Sequence, residues 1–184
     1  MKKHSGKGTI NYDNGDVYEG EFQDAEPQGI GKMTYKDGRI SEGIWKNGKI
    51  VYEGELVNGK AHGRGKWIYS NGSYYEGDWK DGKKNGKGTY KRFDGYIYEG
   101  EWKDDNRHGK GTYKWPDGRV LSGEWEDDNK HGKAIQKRPD GSVEYEGEYK
   151  EGLWDGKGTL NYENGDSYTG EWRADKRHGN GVMT

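Results

Sequence analysis

The chain of 184 residues contains no cysteine and only three prolines. Without cysteine there is neither a disulfide framework nor a thiolate metal site. Long aliphatic side chains are also scarce. Leu, Ile, Val and Phe together number 20, about 11% of the chain, which excludes an aliphatic core of ordinary size. No apolar run approaches the roughly 18 residues of a membrane-spanning helix, and no apolar stretch follows Met1-Lys2-Lys3 as in a signal peptide. The expectation is therefore a soluble, cytoplasmic protein. An excess of charge of one sign is missing too, since 31 Lys plus Arg stand against 33 Asp plus Glu, for a net charge of -2. That balance argues against the disorder that so few aliphatic residues would otherwise imply. It also excludes the basic face that nucleic acid requires, so no nucleic-acid partner is expected.

What the chain has is glycine and aromatics: 34 Gly, 15 Tyr, 8 Trp and 2 Phe. An aromatic side chain buries about 150–250 Å², so a fold can be built from rings laid on glycine. The residues are phased. Segments of the type Tyr-Glu-Gly-Glu-Trp begin at Tyr18, Tyr52, Tyr75, Tyr98, Leu121, Tyr145 and Tyr168, mostly 23 residues apart. Paired glycines follow each start eleven and thirteen residues later, as at Gly63/Gly65, Gly86/Gly88 and Gly109/Gly111. A further glycine falls twenty residues on, as at Gly72, Gly95 and Gly118.

These motifs closely resemble the MORN (membrane occupation and recognition nexus) repeat, roughly Tyr-x-Gly-x-Trp, a short turn and then His-Gly-x-Gly. On that resemblance the chain is one continuous array. Residues 1–17 form an N-terminal half-repeat; 18–40, 52–74, 75–97, 98–120, 121–144 and 145–167 are full repeats; 41–51 is a short repeat and 168–184 an incomplete one. The repeat at 121–144 carries one inserted residue and has Ala134 in place of its second glycine.

Each repeat reads as two short strands of alternating polarity, hence one β-hairpin, and the expected fold is all-β: a single-layer twisted antiparallel sheet of consecutive hairpins. Trp115-Pro116-Asp117-Gly118-Arg119 sets the register. Proline suits the first position of a type I turn closed by a glycine with positive φ, which gives a three-residue loop pairing Tyr113 with Leu121, Gly111 with Gly123 and Gly109 with Trp125. The same register sets acid against base on the opposite face at Glu21–Lys7, Asp78–Arg64, Glu101–Lys87, Glu124–Lys110 and Glu171–Lys157. In the short repeat an Asn47-Gly48 turn is expected to place Trp45 opposite Ile50 and Gly43 opposite Tyr52. Its missing strand reverses the chain, so the loop at Gly72 should lie on the opposite edge from that at Gly38.

Four of five histidines, His62, His108, His131 and His178, share one repeat position; His4 lies out of register. Successive hairpins would hold these histidines about 10 Å apart, too far to share a metal ion, and no metal or cofactor is expected. Paired acids such as Glu99 and Glu101 recur in most repeats, whereas catalysis needs unique, desolvated groups, so no enzyme is expected. Asn71-Gly72-Ser73 reads as a turn rather than a glycosylation site, and Lys83-Lys84 and Lys176-Arg177 as solvated loop charges. What remains is the aromatic face, which one layer of sheet cannot cover.

The expected function is a non-catalytic scaffold that receives an extended or helical segment of a protein partner in an aromatic, concave groove. Its residues would be Trp67, Tyr69, Tyr75, Trp79, Tyr90, Trp102, Tyr113, Trp115 and Trp125. Packing on glycine is the alternative role for these rings. The resemblance also implies peripheral association with anionic phospholipid through basic loops such as 80–84, or a regulatory or targeting segment of a larger enzyme such as a lipid kinase. Open sheet ends allow self-association, and a place beside membrane or cytoskeleton is consistent with each of these.

Overall fold

Alternating polarity punctuated by Asn-Gly, Asp-Gly and Asp-Asp turns produces a succession of strands across the described residues. The computed structural model describes residues 5–184, and His4 with the first residues of the half-repeat lies outside them. The chain divides into two compact units, Met1–Lys83 and Lys84–Thr184. The first holds β1 (Gly6–Asn11), β2 (Val17–Gln23), β3 (Glu26–Thr34), β4 (Ile40–Lys46), β5 (Lys49–Val57), β6 (Lys60–Ile68) and β7 (Tyr74–Lys80). The second holds β8 (Lys83–Lys91), β9 (Ile97–Lys103), β10 (Asn106–Lys114), β11 (Val120–Glu126), β12 (Asn129–Lys137), β13 (Val143–Lys150), β14 (Leu153–Asn161), β15 (Ser167–Arg173) and β16 (Lys176–Met183). Within each unit every strand pairs antiparallel with its neighbours in chain order. Among the described residues no helix is long and apolar enough to cross a membrane.

The register between repeats is the one the proline loop requires. Gly109 faces Trp125, Gly111 faces Gly123 and Tyr113 faces Leu121. Trp115 N–H donates to Arg119 O and Gly118 N–H to Trp115 O, with Gly118 at φ 94°. All five acid–base pairs stand opposite each other. In the first unit, strict antiparallel succession puts the loop carrying Gly38 (between β3 and β4) and the loop carrying Gly72 (between β6 and β7) on opposite edges. Asn71 and Ser73 do form a turn, with Asn71 Oδ1 accepting from Ser73 N–H.

Hairpins inside repeats differ from simple alternation. Glu101 faces His108 but Gly100 faces Gly111, so Gly109 and Lys110 bulge out of the ladder. The first glycine of each Gly-x-Gly pair is the bulge residue, at φ between 56° and 104° from Gly29 to Gly179, and is not a flat seat for a ring. The short repeat obeys the same rule. Trp45 does face Ile50, but an extra residue shifts the ladder so that Gly43 faces Glu53 and Ile44 faces Tyr52, correcting the expected Gly43–Tyr52 pair. The insertion in 121–144 is taken up by a bulge between β12 and β13, where Gln136 faces Tyr145 and Lys137 faces Val143.

The second glycine of each pair lies beneath the anchor tyrosine. A Cβ on Gly31, Gly65, Gly111, Gly158 or Gly181 would overlap the ring of Tyr18, Tyr52, Tyr98, Tyr145 or Tyr168. Each of these hydroxyls, and that of Tyr75, donates to the carbonyl three residues on, as Tyr18 to Glu21 O at 2.7 Å and Tyr98 to Glu101 O at 3.1 Å. The tryptophans Trp45, Trp79, Trp102, Trp125 and Trp172 donate Nε1–H to the carbonyl of the glycine fourteen residues back, at 3.0–3.3 Å. Polar tips that would otherwise resist burial are therefore satisfied. Tyr18, Tyr52, Tyr98 and Tyr145 also meet the next repeat's tryptophan edge to face, at 5.3 Å for Tyr18–Trp45 and 5.3 Å for Tyr98–Trp125. The core is this interlocked row of rings.

Candidate functional site

The nine aromatics singled out from the sequence separate into two groups. Tyr75, Trp79, Trp102 and Trp125 are buried, at most 6% exposed, and belong to the interlocked core. Trp67, Tyr69, Tyr90, Tyr113 and Trp115 are half-buried and line the margin of that core. In the first unit Trp67 leans on Tyr52 at 5.8 Å and Trp79 at 6.0 Å. In the second unit a continuous patch forms, with Tyr96 5.9 Å from Tyr113 and Tyr113 4.7 Å from Trp115. Arg92 stacks over Tyr96 at 4.5 Å and Arg119 over Trp115 at 5.2 Å, and each ion-pairs with an aspartate of its own loop, Asp94 or Asp117. Phe93, in the same loop as Tyr96, is 66% exposed.

Cations cover much of the remaining ring surface of this unit. Lys84 Nζ lies 4.3 Å from the Trp102 ring, Arg107 Cζ 4.5 Å from Trp125 and Lys130 Nζ 4.8 Å from Tyr149. Arg177 stands over Tyr168 at 5.4 Å. Lys84 is thus half-buried over an aromatic face, which corrects its reading as a plainly solvated charge, whereas Arg177 remains exposed. Burial pushes the Lys84 and Lys130 ammonium groups down from the usual lysine range, with nearby Asp105 and Asp175 opposing the shift. Arg107 is held by Asp128, Nε to Oδ1 at 3.0 Å. Burial likewise pushes the phenols of Tyr18, Tyr52 and Tyr149 up to about 12, and those of Tyr98 and Tyr145 upward as well.

On the other face, carboxylates do more than meet lysines. Glu21, Glu101 and Glu148 reach over the positive-φ glycine of their hairpin and accept the next N–H, of Ile30, Lys110 and Lys157, at 3.2, 3.2 and 2.7 Å. Ion pairs also form there, such as Arg64–Asp78 at 3.5 Å and Lys66–Glu76 at 3.5 Å. In the second unit this charged face encloses a groove of about 660 Å³, lined by Ile135, Glu146, Glu148, Lys157, Thr159 and Thr169 among others. A second hollow of about 580 Å³ shares Ser122 and Lys133 with it. Both are lined by residues of the charged face.

Among the described residues no cluster of three or more His, Asp or Glu could hold a metal ion. His62 Nδ1 accepts from Asp81 N–H at 3.4 Å, His131 lies 3.6 Å from Glu126, and His108 Nδ1 is buried with no partner.

The phased tyrosines, glycines and tryptophans that build this face match the family model of the MORN repeat at residues 18–38, 52–74, 75–95, 98–118, 122–143, 145–167 and 168–184. The chain belongs to the MORN repeat family. The model leaves out the short segment 41–51. No curated protein matches this MORN chain. Among solved structures it is similar to the TCP domain of SAS-4 of Drosophila melanogaster in complex with a proline-rich motif of Ana2, at 12% identity and TM-score 0.35, over 97% of this chain and 88% of that one. It is also similar to virginiamycin B lyase from Staphylococcus aureus, at 13% identity and TM-score 0.20, over 93% and 65% of the two chains.

Sequence reasoning missed the groove on the charged face of the MORN array. Some of its residues stand where the repeat changes letter, whereas Thr159 has the threonine that also stands at Thr9, Thr89 and Thr112. Ser122 and Thr169 replace a glutamate of the other repeats, and Ile135 and Thr159 occupy the row where Lys32 and Lys66 stand in the first unit. Aligning the repeats by pleat face would have exposed them.

Proposed function

We propose that the chain is a non-catalytic interaction module that receives a segment of a protein partner against the margin of its aromatic face. Membership of the MORN repeat family supports an interaction module in general terms. The finer reading is carried by one observation: after the anchor rings have packed, the second unit still presents Tyr96, Tyr113 and Trp115 as one half-buried patch flanked by Arg92 and Arg119. Tyr, Trp and Arg are the residues on which binding energy concentrates, because they offer large contact area at small entropic cost. Trp67 and Tyr69 hold matching positions in the first unit, where Trp79 supports Trp67 from the core, as Trp125 supports Tyr113 in the second. The shifted titratable groups recur from repeat to repeat and burial is their main cause, which supports a role without catalysis.

Substitution of Trp102 or Trp125 would remove a buried ring and its hydrogen bond, so the test uses Tyr113→Ser with Trp115→Ser. Immobilised wild type and variant are offered a protein mixture and, separately, phosphatidylserine vesicles, after their melting curves have been shown to agree. The expected result is protein retained by wild type, lost from the variant, and no vesicle retention. Vesicle retention without any protein would refute the proposal. Lipid recruitment is the weaker reading because Lys84 and Arg107 are committed to rings, and Arg107 also to Asp128.

A further inference from the structure

Across β11 to β15 one row of side chains on the charged face reads Ser122, Ile135, Glu146, Thr159 and Thr169, each directly facing the next. It runs along the groove of about 660 Å³. Other repeats act as internal controls for Glu146. The equivalent acids Glu19 and Glu42 both face Lys32, Glu53 and Glu76 both face Lys66, and Glu99 has Lys114 Nζ at 3.7 Å. Glu146 faces Ile135 on one side and Thr159 on the other, and among the described residues it forms no ion pair. The groove's two lysines stand opposite other acids, Lys133 opposite Glu148 and Lys157 opposite Glu171. One carboxylate therefore faces no base on either neighbouring strand, at the middle of a row whose other side chains are an isoleucine and hydroxyls.

We infer that this groove docks an extended segment of a partner protein carrying one Lys or Arg among small and aliphatic residues, with the cation on Glu146. Charge complementarity selects the occupant. The row offers one unmatched negative charge and Ile135 for an aliphatic neighbour, while the hydroxyls of Thr159 and Thr169 bond each other at 2.9 Å and Ser122 bonds Thr112 at 3.0 Å, each pair keeping capacity for one further hydrogen bond to a peptide group. Backbone of Gly147, Gly158 and Gly170 also lines the groove, leaving room for small side chains to approach. Four strand spacings of about 4.8 Å give a row about 19 Å long, room for about six extended residues. The inference shares with the proposed function only that the partner is a protein, and it uses the opposite face of the sheet.

The probe is a fluorescent eight-residue peptide with a central Arg in an Ala, Thr and Val background, alongside matched peptides with central citrulline or Glu. Anisotropy should show the Arg peptide binding about fivefold or more tighter than the citrulline peptide, with that preference removed by Glu146→Gln. Glu146→Lys should turn the preference toward the Glu peptide. Amide shifts on binding should be confined to the row from Ser122 to Thr169. Equal binding of Arg and citrulline peptides, an unaffected Glu146→Gln variant, or no peptide binding overturns the inference. Peptide release as the protein dimerises points to a second copy as occupant and overturns it too, as do vesicles that shift the same amides when the peptide does not. Binding that is lost with Tyr113→Ser and Trp115→Ser but indifferent to Glu146 also rejects it, while leaving the aromatic-face function standing.

Discussion

At the scale of single residues, one repeat of the array carries its own compensation. Where the others place tyrosine over glycine, this one has Leu121 with Ala134, both at most 4% exposed. In the other repeats a Cβ at the second glycine would overlap the anchor ring, so a methyl there is compatible only with an anchor lacking that ring. Leu121→Tyr alone should therefore cost about 1–3 kcal/mol through overpacking, and Ala134→Gly alone about 1 kcal/mol through chain entropy and lost contact. The double substitution, which restores the usual pair, should cost less than either single change. Urea unfolding of the four proteins checks this, and simple additivity would contradict it. Leu121 and Ala134 are both visible as departures in the sequence, but that each answers the other needs the knowledge that they share a pleat.

At the scale of elements, the hairpin inside a repeat is held by a bulge and the hairpin between repeats by a regular ladder. The second was legible because Pro116 restricts its loop and the acid–base facing checks the register independently. The bulge was not, because a glycine looks the same in sequence whether it seats a ring or turns the chain. Only its φ distinguishes Gly109 from Gly111, and the same blindness misplaced Gly43 by one residue. The glutamate reaching over that glycine fastens the bulge. Glu148→Ala should cost about 1 kcal/mol and raise the exchange rate of the Lys157 amide about fivefold, while Glu148→Gln, which keeps an acceptor oxygen, should change both much less. Hydrogen exchange followed by NMR reads the two variants side by side, and equal exchange rates in them would mean that the carboxyl group does not hold the bulge.

At the scale of the molecule, stability resides in rings whose hydroxyls must stay protonated. An unfolded tyrosine loses its proton near pH 10, whereas burial holds Tyr18, Tyr52 and Tyr149 to about 12 and raises Tyr98 and Tyr145 too. Between those limits the folded state binds more protons than the unfolded one, so stability must fall as pH rises from about 10 toward 12. Lys84 and Lys130, lowered by burial, act with the opposite sign, but two groups do not outweigh five. The urea midpoint should stay level to roughly pH 9.5 and then drop, with tyrosinate absorbance rising as the near-ultraviolet dichroism disappears; a level midpoint through pH 12 would rule this out. The all-β architecture was legible in the sequence from phase alone, but the groove beside Glu146 was not, since it depends on which side chains of three repeats share one pleat row. Six tight turns also donate a backbone N–H to the hairpin before them, among them Gly48 to Pro27, Asp128 to Arg107 and Asp175 to Trp154. With ring edge, tryptophan hydrogen bond and turn latch all addressed to the adjacent copy, a gene that duplicates or loses one whole unit presents the same contacts at the new junction. Length in such an array can change by slippage of the coding sequence, without any new interaction having to be invented.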